Sequence, residues 1–484
     1  MTAHTTDLHP LLDALPASTV AVDRIDRDTI ALARLLVRLE AHVVLLATRV
    51  APDVTAKELD SLRATGVTIA EGDDLSWAHR CLLLFAHDYT SPSAPVVQAA
   101  RGAGCRITHL ADLLLEMTPA LTVGVTGSAG KSTTAAMIGA ILRAAGRQVY
   151  LPCRHPLTGS ANPNWELLEQ LKRMDPNGVL VLELTSSHLE YMAHGPNIAV
   201  VTTISPDHLE WHGSLGAYLA AKQRIVTAQR PGDVAVLNAD EAIGRAWARI
   251  APGRVRLFSA AARQDANVRL AGDRLVADDA TVLLARDQIR LADSYVMNAL
   301  AAATAALSAG ASRDAVHAGL TGFDGLAGRR ELVAAANGVA VYDDSLALTP
   351  RKAIASLSSF ADDSVLLLCG GEDVQDGWSV APMHTTPDEQ RLFDEFALLA
   401  TRKARRVFTL GSAGDRIHDA LARAGADLSA VSRAISLETA AQQAIAIARR
   451  GDNVVLAPVF EIRDSTLPLF GEIARKALNA KRAR

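Results

Sequence analysis

The 484-residue sequence has few cysteines, and they lie far apart. Cys81, Cys105, Cys153 and Cys369 form no C-x-x-C pair, which excludes a disulfide framework and a thiolate zinc site. No uncharged apolar run approaches the roughly 20 residues that a membrane-spanning helix needs. Residues 1–16 lack the basic segment and apolar block of an export signal. We therefore expect structural thiols, no membrane partner and a place in the reducing cytoplasm.

The sequence also lacks an excess of charge of either sign. It has 49 basic and 53 acidic residues and a net charge of −4, so nothing favours nucleic acid or an anionic membrane surface as a partner. Apolar residues make up 49% of the chain and charged residues 21%, which excludes intrinsic disorder. An anionic ligand must therefore be bound by a local arrangement of donors.

Glycine is absent from the start of the chain, where the first one is Gly66. The turn after the first predicted strand reads Asp23-Arg24-Ile25-Asp26. A glycine-rich phosphate loop is thereby excluded at this turn, and a conventional dinucleotide-binding fold is not expected there.

The length predicts about three domains of roughly 150 residues each. We place them at residues 1–118, 119–320 and 321–484. In each range, short runs rich in Val, Ile and Leu alternate with helical stretches, which is typical of α/β domains with buried parallel sheets. The motifs described next lie in the second and third of these ranges; the resemblance that they support implies substrate binding by the first.

The clearest motif is a glycine-bearing loop between the predicted strand 121–126 and a predicted helix. Glycines let successive backbone N–H groups point at one centre, and the helix N-terminus adds its dipole, so the loop predicts phosphate binding. Its lysine would meet the β- and γ-phosphates, and its hydroxyls would hold Mg²⁺. The usual spacing has glycine where Val125 stands, so the alternative is a turn that binds nothing. The loop residues are Gly127, Ser128, Gly130, Lys131, Ser132 and Thr133.

Two further strands end in groups that suit a metal ion. Glu183 closes an apolar run, and a buried carboxylate needs a cationic partner such as Mg²⁺, although a solvated edge group is the common alternative. The next strand leads into Asp207 and His208. Three strands thus deliver Lys131, Glu183 and His208 to their carboxyl ends, where open α/β sheets bind ligands.

Lys222 lies within an apolar helical stripe and is therefore predicted to be buried. The stripe contains Leu215, Tyr218, Leu219, Ile225 and Val226. A buried ammonium is costly, so the side chain pairs with an acid, extends to solvent, or loses its proton and becomes a nucleophile toward CO₂. The helix alone leaves these alternatives open.

Taken together, the segments 126–133, 183–187, 206–214 and 221–222 resemble the Mur ligases, most closely their glutamate-adding members. Residues near 298, 329 and 344 resemble the family's adenosine-site motifs. The resemblance implies an α/β fold of three domains. A central parallel sheet of the P-loop ATPase type would be flanked by Rossmann-like N-terminal and C-terminal domains.

The resemblance also implies roles for individual residues. Lys131, Glu183, His208 and Lys222 would be catalytic. Ser132, Glu183 and His208 would bind Mg²⁺, and a carbamylated Lys222 would help to hold a second ion. The nucleotide contacts would be Gly127, Ser128, Gly130, Lys131, Ser132, Thr133, Asn298, Arg329 and Asp344.

The activity implied is an ADP-forming ligase that joins a carboxylate to an amino acid through an acyl phosphate. The nearest reaction is addition of glutamate to UDP-N-acetylmuramoyl-L-alanine by a monomeric enzyme. The aspartates of residues 22–29 would repel a diphosphate, and Leu346 and Leu348 stand where glutamate-adding members carry lysine and threonine. The alternatives are the same chemistry on a carboxylate without UDP, a non-catalytic nucleotide-binding homologue, and a small-molecule kinase.

Overall fold

A computed structural model describes residues 14–51, 53–88, 90–152, 167–168, 170–207, 209–289, 295–372, 387–460, 462 and 466–482. The chain separates into two compact units. Among the described residues, the first unit lies within residues 14–324 and the second within residues 325–482. Each predicted domain range contains one of the three sheets described below, and the predicted domain boundaries stay predictions.

The first sheet is parallel throughout, with the strand order β3-β2-β1-β4-β5. The order reverses between β1 and β4, so the carboxyl ends of these two strands form the topological switch point of the sheet. Its strands are β1 Thr19–Ile25, β2 His42–Val50, β3 Thr68–Glu71, β4 Cys81–Phe85 and β5 Arg106–Thr108. Its helices are α1 Arg27–Arg38, α2 Ala56–Ala64, α3 Pro95–Gly102 and α4 Leu110–Met117.

The second sheet has the order β14-β13-β12-β11-β10-β9-β6-β8-β7. Its strands are β6 Leu121–Thr126, β7 Val149–Tyr150, β8 Val179–Glu183, β9 Ile198–Val201, β10 Val234–Asn238, β11 Arg254–Ser259, β12 Val268–Ala271, β13 Arg274–Ala277 and β14 Val282–Ala285. Its helices are α5 Lys131–Ala144, α6 Ser186–Glu190, α7 Leu209–His212, α8 Leu215–Thr227, α9 Ala242–Ala248, α10 Val296–Ser308 and α11 Arg313–Thr321.

The centre of this second sheet is buried without alternation along its strands. Every residue of β9 is buried, as are the residues of β6 after Leu121 and those of β8 before Glu183. The predicted parallel sheet is present from β7 to β12, but β12–β14 pair antiparallel, which the sequence pattern does not indicate. A two-residue turn begun by Gly272, at φ +61°, allows β13 to reverse direction.

The third sheet lies in the second unit and has the order β15-β16-β20-β17-β18-β19. Its strands pair in parallel except for the β15–β16 hairpin. The strands are β15 Glu331–Ala336, β16 Val339–Asp343, β17 Val365–Gly370, β18 Ala404–Leu410, β19 Val431–Arg433 and β20 Asn453–Val459. The helices are α12 Pro350–Leu357, α13 Pro387–Lys403, α14 Gly414–Arg423, α15 Leu437–Ile447 and α16 Phe470–Arg482.

Two predictions about the chain as a whole can be compared with these elements. Among the described residues, no helix is long and apolar enough to cross a membrane. Cys81, Cys105 and Cys369 are free thiols, and Cys105 and Cys369 are buried. Cys153 lies outside the described residues.

Candidate functional site

The loop between β6 and α5 depends on two glycines. Gly127 has a φ of +154°, and Gly130, which caps α5, has a φ of +83°. A side chain at Gly127 would overlap the hydroxyl of Thr202, and one at Gly130 would overlap Oδ1 of Asn298. Glycine therefore allows both the left-handed turn and the close approach of these neighbours.

The end of β9 holds this loop in place. The backbone N–H of Ser128 donates to the carbonyl of Thr203 at 2.7 Å, and the Thr202 hydroxyl donates to the carbonyl of Ala129 at 2.6 Å. The Ser128 hydroxyl donates to the carbonyl of Ser205 at 2.7 Å. These bonds fix the loop at the N-terminus of α5, where backbone amides and the helix dipole favour an anion.

The first turn of α5 carries the lysine and hydroxyls predicted from the sequence. Nζ of Lys131 donates to the carbonyls of Gly127 at 3.0 Å and Ser128 at 3.3 Å, so the ammonium lies over the loop. The Ser132 hydroxyl donates to the Glu183 carboxylate at the end of β8, and Thr133 is buried. Neighbouring hydroxyl and carboxylate oxygens are ligands that Mg²⁺ prefers, so these groups fit the ion.

Lys222 reaches the same loop from α8. It is 2% exposed, which confirms the predicted burial. Its Nζ donates to the carbonyl of Gly127 at 2.9 Å and to the hydroxyl of Thr126 at 3.3 Å. The nitrogen also lies 5.0 Å from the centre of the Tyr218 ring. The side chain therefore ends at the phosphate loop and does not extend to solvent.

The surroundings of Lys222 favour its neutral form. Burial lowers the pKa of its amine well below the ordinary lysine value, and repulsion from Lys131 lowers it further. The carboxylates of Asp207 and Glu183 act in the opposite direction but do not offset the burial. Of the alternatives left open by the sequence, loss of the proton is the one that these contacts support.

The first unit brings most of the predicted residues together. The loop, Glu183 and Lys222 are joined by the hydrogen bonds above, and Asn298, near the start of α10, lies against Gly130. His208 lies outside the described residues, although Asp207 before it is close enough to affect Lys222. The strand order β9-β6-β8 places these strand ends side by side at one edge of the sheet.

The second unit contains the two remaining predicted residues. Asp344 follows β16 and is 8% exposed, and burial raises its pKa to about 6. The guanidinium groups of Arg330 and Arg329 lower that pKa and partly offset the burial. Arg329 and Asp344 are therefore close enough within this unit to interact.

Thr126 and Thr202 support the site although neither is among the residues predicted to act there. The Thr126 hydroxyl donates to the carbonyl of Leu184 at 2.7 Å and accepts from Lys222. Thr202 also donates to the carbonyl of Thr126. The available signal is a threonine at the end of each otherwise apolar strand, but only the fold shows which groups these hydroxyls contact.

The fold and the site define a class of protein. A glycine turn connects a buried parallel strand to a helix, a lysine lies over the turn, and a serine and a glutamate place two oxygens beside it. This arrangement is typical of phosphate-loop nucleotide-binding α/β proteins. Residues 125–306 match the Mur ligase middle domain, and residues 328–460 match the domain described as Mur ligase, glutamate ligase domain. The chain belongs to the Mur ligase family.

Individual relatives support the same assignment. A UDP-N-acetylmuramoylalanine–D-glutamate ligase of Symbiobacterium thermophilum is 36% identical over 372 residues, covering 75% of this chain and 76% of the relative. A ligase of the same name from Roseiflexus sp. is 33% identical over 427 residues, covering 84% and 86%. The predicted ATP-dependent, ADP-forming amide ligase is thereby confirmed as the class of enzyme.

Solved structures show the fold. A MurF ligase from Thermotoga maritima in complex with ADP has a TM-score of 0.57 at 16% identity, with 97% of each chain covered. UDP-N-acetylmuramate-alanine ligase from the same organism has a TM-score of 0.56 at 17% identity, covering 96% of this chain and all of the other. At these identities the likeness concerns architecture, and it confirms the predicted α/β fold class.

Proposed function

We propose that the protein joins a carboxylate donor to an amino acid through an acyl phosphate. A donor carboxylate oxygen attacks the γ-phosphorus of ATP and ADP leaves; the amine then attacks the acyl carbon and phosphate leaves with the donor oxygen. The observation that carries the proposal is Lys222, whose buried amine ends at the phosphate loop. A protein that only binds nucleotide has no need of this costly group.

The phosphate loop would bind the triphosphate. The turn that contains Gly127, Ser128 and Gly130 would surround the triphosphate at the start of α5, and Lys131 can exchange its bonds to loop carbonyls for bonds to phosphate oxygens. Attack of a carboxylate on a phosphate brings two anions together, so cationic groups at the loop lower the barrier. Thr133, buried in the same turn, would support the loop.

Mg²⁺ would be held by Ser132 and Glu183, with His208 as the further ligand that the resemblance implies. The Ser132–Glu183 contact shows that the two oxygens are already close together. The ion would screen the negative charges of the phosphates. When the ion binds, the Ser132 hydroxyl would turn from the Glu183 carboxylate toward the ion.

Lys222 would act as a carbamate. Its neutral amine can attack CO₂, forming an N–C bond and releasing one proton, and the new carboxylate oxygens would help to hold a second Mg²⁺. The lowered pKa of Lys222 favours the reacting form of the amine.

Other groups would contact the rest of the nucleotide. Asn298 lies beside Gly130 and is proposed as the adenine contact. Arg329 and Asp344, which interact within the second unit, are proposed as further nucleotide residues from the family resemblance. The protein would work as a cytoplasmic monomer.

The substrate pair of the named relatives, UDP-N-acetylmuramoyl-L-alanine and D-glutamate, is the first candidate. A donor without UDP is the second candidate. Asp26 favours this second candidate, because its carboxylate already occupies the N-terminus of α1, a position that would suit the anionic diphosphate of UDP.

The proposal is tested by measuring ADP and phosphate release over a matrix of amino acids and carboxylate donors, with and without a UDP-sugar. Release of both products should require donor and amine together. A kinase would leave the phosphate on its product, and a nucleotide binder would show no amine-dependent turnover. Lys222→Ala should lose turnover and regain part of it with short carboxylic acids. Lys57→Ala, on α2, is the control and should remain active.

A further inference from the structure

The carboxyl edge of the first sheet is a second place where this fold can bind a ligand. Its switch point lies between the ends of β1 and β4, and open α/β sheets bind ligands in such crevices. Asp23 lies near the end of β1 and Asp26 directly follows this strand, and His87 and Asp88 follow β4. Acidic groups and an imidazole therefore stand where many sheets of this kind present glycines.

Asp23 forms the floor of this edge. It is 1% exposed, and its carboxylate accepts hydrogen bonds from the hydroxyls of Thr48 at 2.6 Å and Thr90. Thr48 belongs to β2 and Thr90 follows β4, so the carboxylate ties together three neighbouring strands. We assign Asp23 a structural role.

Asp26 occupies the N-terminus of α1. Its Oδ1 accepts the backbone N–H of Thr29 at 2.8 Å, and the Thr29 hydroxyl accepts the N–H of Asp26 at 2.8 Å. Its Oδ2 lies 3.1 Å from Nε2 of His87. Burial raises the pKa of Asp26, but the bonds to His87 and Thr29 outweigh that effect and lower the pKa. The amide and dipole that would attract a phosphate are thus engaged by a carboxylate of the chain itself.

Asp88 places a third carboxylate at this edge. Nε2 of His109 and of His188 face its two oxygens, and ligand atoms of the three residues lie within 4.8 Å of one another. Nδ1 of each ring accepts a backbone N–H, from Ala111 at 3.2 Å and Thr185 at 3.3 Å. Because each Nδ1 accepts a hydrogen bond, each Nε2 carries the proton that Asp88 accepts, and the trio is a hydrogen-bonded network in preference to a metal site.

We propose that Asp26 is a specificity-determining residue that keeps a nucleoside diphosphate away from this edge, so that the donor of this ligase is a carboxylic acid without a diphosphate. A diphosphate would compete with Asp26 for the amide at Thr29 and would be repelled by Asp26 and Asp88. In a donor without a diphosphate, hydroxyl or amide N–H groups remote from the reacting carboxylate can instead donate to Asp26 and Asp88. Arg27, the cation that begins α1, pairs with Asp53 and Glu58.

Arg24 is another cation close to the turn, and it has partners of its own within the structure. Its backbone has a φ of +66°, which places the residue in the left-handed region between the two aspartates in sequence. This inference rests on the proposed function, in which the ligase acts on a carboxylate donor. It concerns only the part of the donor remote from the reacting carboxylate.

The test compares two donors that share one reacting carboxylate: UDP-N-acetylmuramoyl-L-alanine and N-acetylmuramoyl-L-alanine. ADP release is measured over the amino acid panel. With the wild-type chain, kcat/KM for the donor without UDP should equal or exceed that for the UDP-linked donor. Asp26→Asn keeps the helix cap and removes the charge, and it should raise kcat/KM for the UDP-linked donor at least tenfold. Asp60→Asn, which removes one exposed charge from α2, should leave both values unchanged.

A binding measurement separates this inference from the proposed function. Calorimetry with UDP alone needs no turnover; the wild-type chain should not bind UDP below millimolar concentrations, and Asp26→Asn should bind it at least tenfold more tightly. Micromolar binding by the wild-type chain, or a tenfold preference for the UDP-linked donor, would overturn the inference while leaving the ligase intact. Absence of ADP release with every donor and amine would instead count against the proposed function.

Discussion

The substitution Gly130→Ala tests whether phosphate binding depends on the conformation of the loop before α5. The φ of +83° at Gly130 costs a residue with a side chain about 1–2 kcal/mol, and the added Cβ would overlap Oδ1 of Asn298. We expect Gly130→Ala to destabilise the chain by about 2–5 kcal/mol, because crowding adds about 1–3 kcal/mol to the backbone strain. The affinity for ATP should fall at least about tenfold, a change of about 1.4 kcal/mol.

Gly146, beyond the other end of α5, provides the matched control. Its φ is +76°, and an added Cβ would have nothing within 4 Å. Gly146→Ala should therefore show the backbone strain alone and keep the affinity for ATP. Stability is measured by guanidinium unfolding and affinity by calorimetry. Equal effects of the two substitutions on both quantities would refute the reasoning, as would failure of Asn298→Ala to recover stability in the Gly130→Ala chain.

Three other substitutions test the electrostatics of the two units. Glu183→Gln should raise the Mg²⁺ concentration needed for half-maximal turnover at least about tenfold; an unchanged titration would remove its metal role. Lys222→Met should lower kcat by about 10²–10³. The lowered pKa of Lys222 means that the wild-type chain gains stability only as the pH rises toward the ordinary lysine value. Lys222→Met should therefore not lower stability at pH 7, and a lower guanidinium midpoint would contradict this. Asp344, with a pKa of about 6, should cost stability as the pH rises from about 4 to 6, so Asp344→Asn should gain up to about 3 kcal/mol above pH 6 and nothing below pH 4 in urea unfolding.

The sequence predicts the centre of the second sheet well because its strands are apolar on both faces. The runs 121–126 and 234–238 match β6 and β10 at both ends. The burial of Lys222 could also be predicted, because its place on a helical stripe depends only on local periodicity. The antiparallel strands β12–β14 have four residues each, and β13 and β14 begin with an exposed residue, so their pattern is weak.

The partners of the buried polar groups could not be predicted in the same way. His87 contacts Asp26 from 61 positions away, and Lys222 reaches Thr126 across 96 positions. Such pairs depend on which strand ends become neighbours, and the sequence carries no local signal for that order. The sequence could thus identify charged or polar residues as candidates, while the fold decides whether each one faces a ligand or another side chain.

The central claim is that this protein activates a carboxylate by phosphorylating it. The most direct measurement uses a donor whose carboxylate is labelled with ¹⁸O. The protein turns this donor over with ATP, Mg²⁺ and the amino acid, and the label is followed into the released phosphate. An acyl phosphate requires one donor oxygen to leave with each phosphate, so mass spectrometry should find one ¹⁸O atom per phosphate released. Phosphate without the label, formed at the same rate as the amide, would contradict the claim.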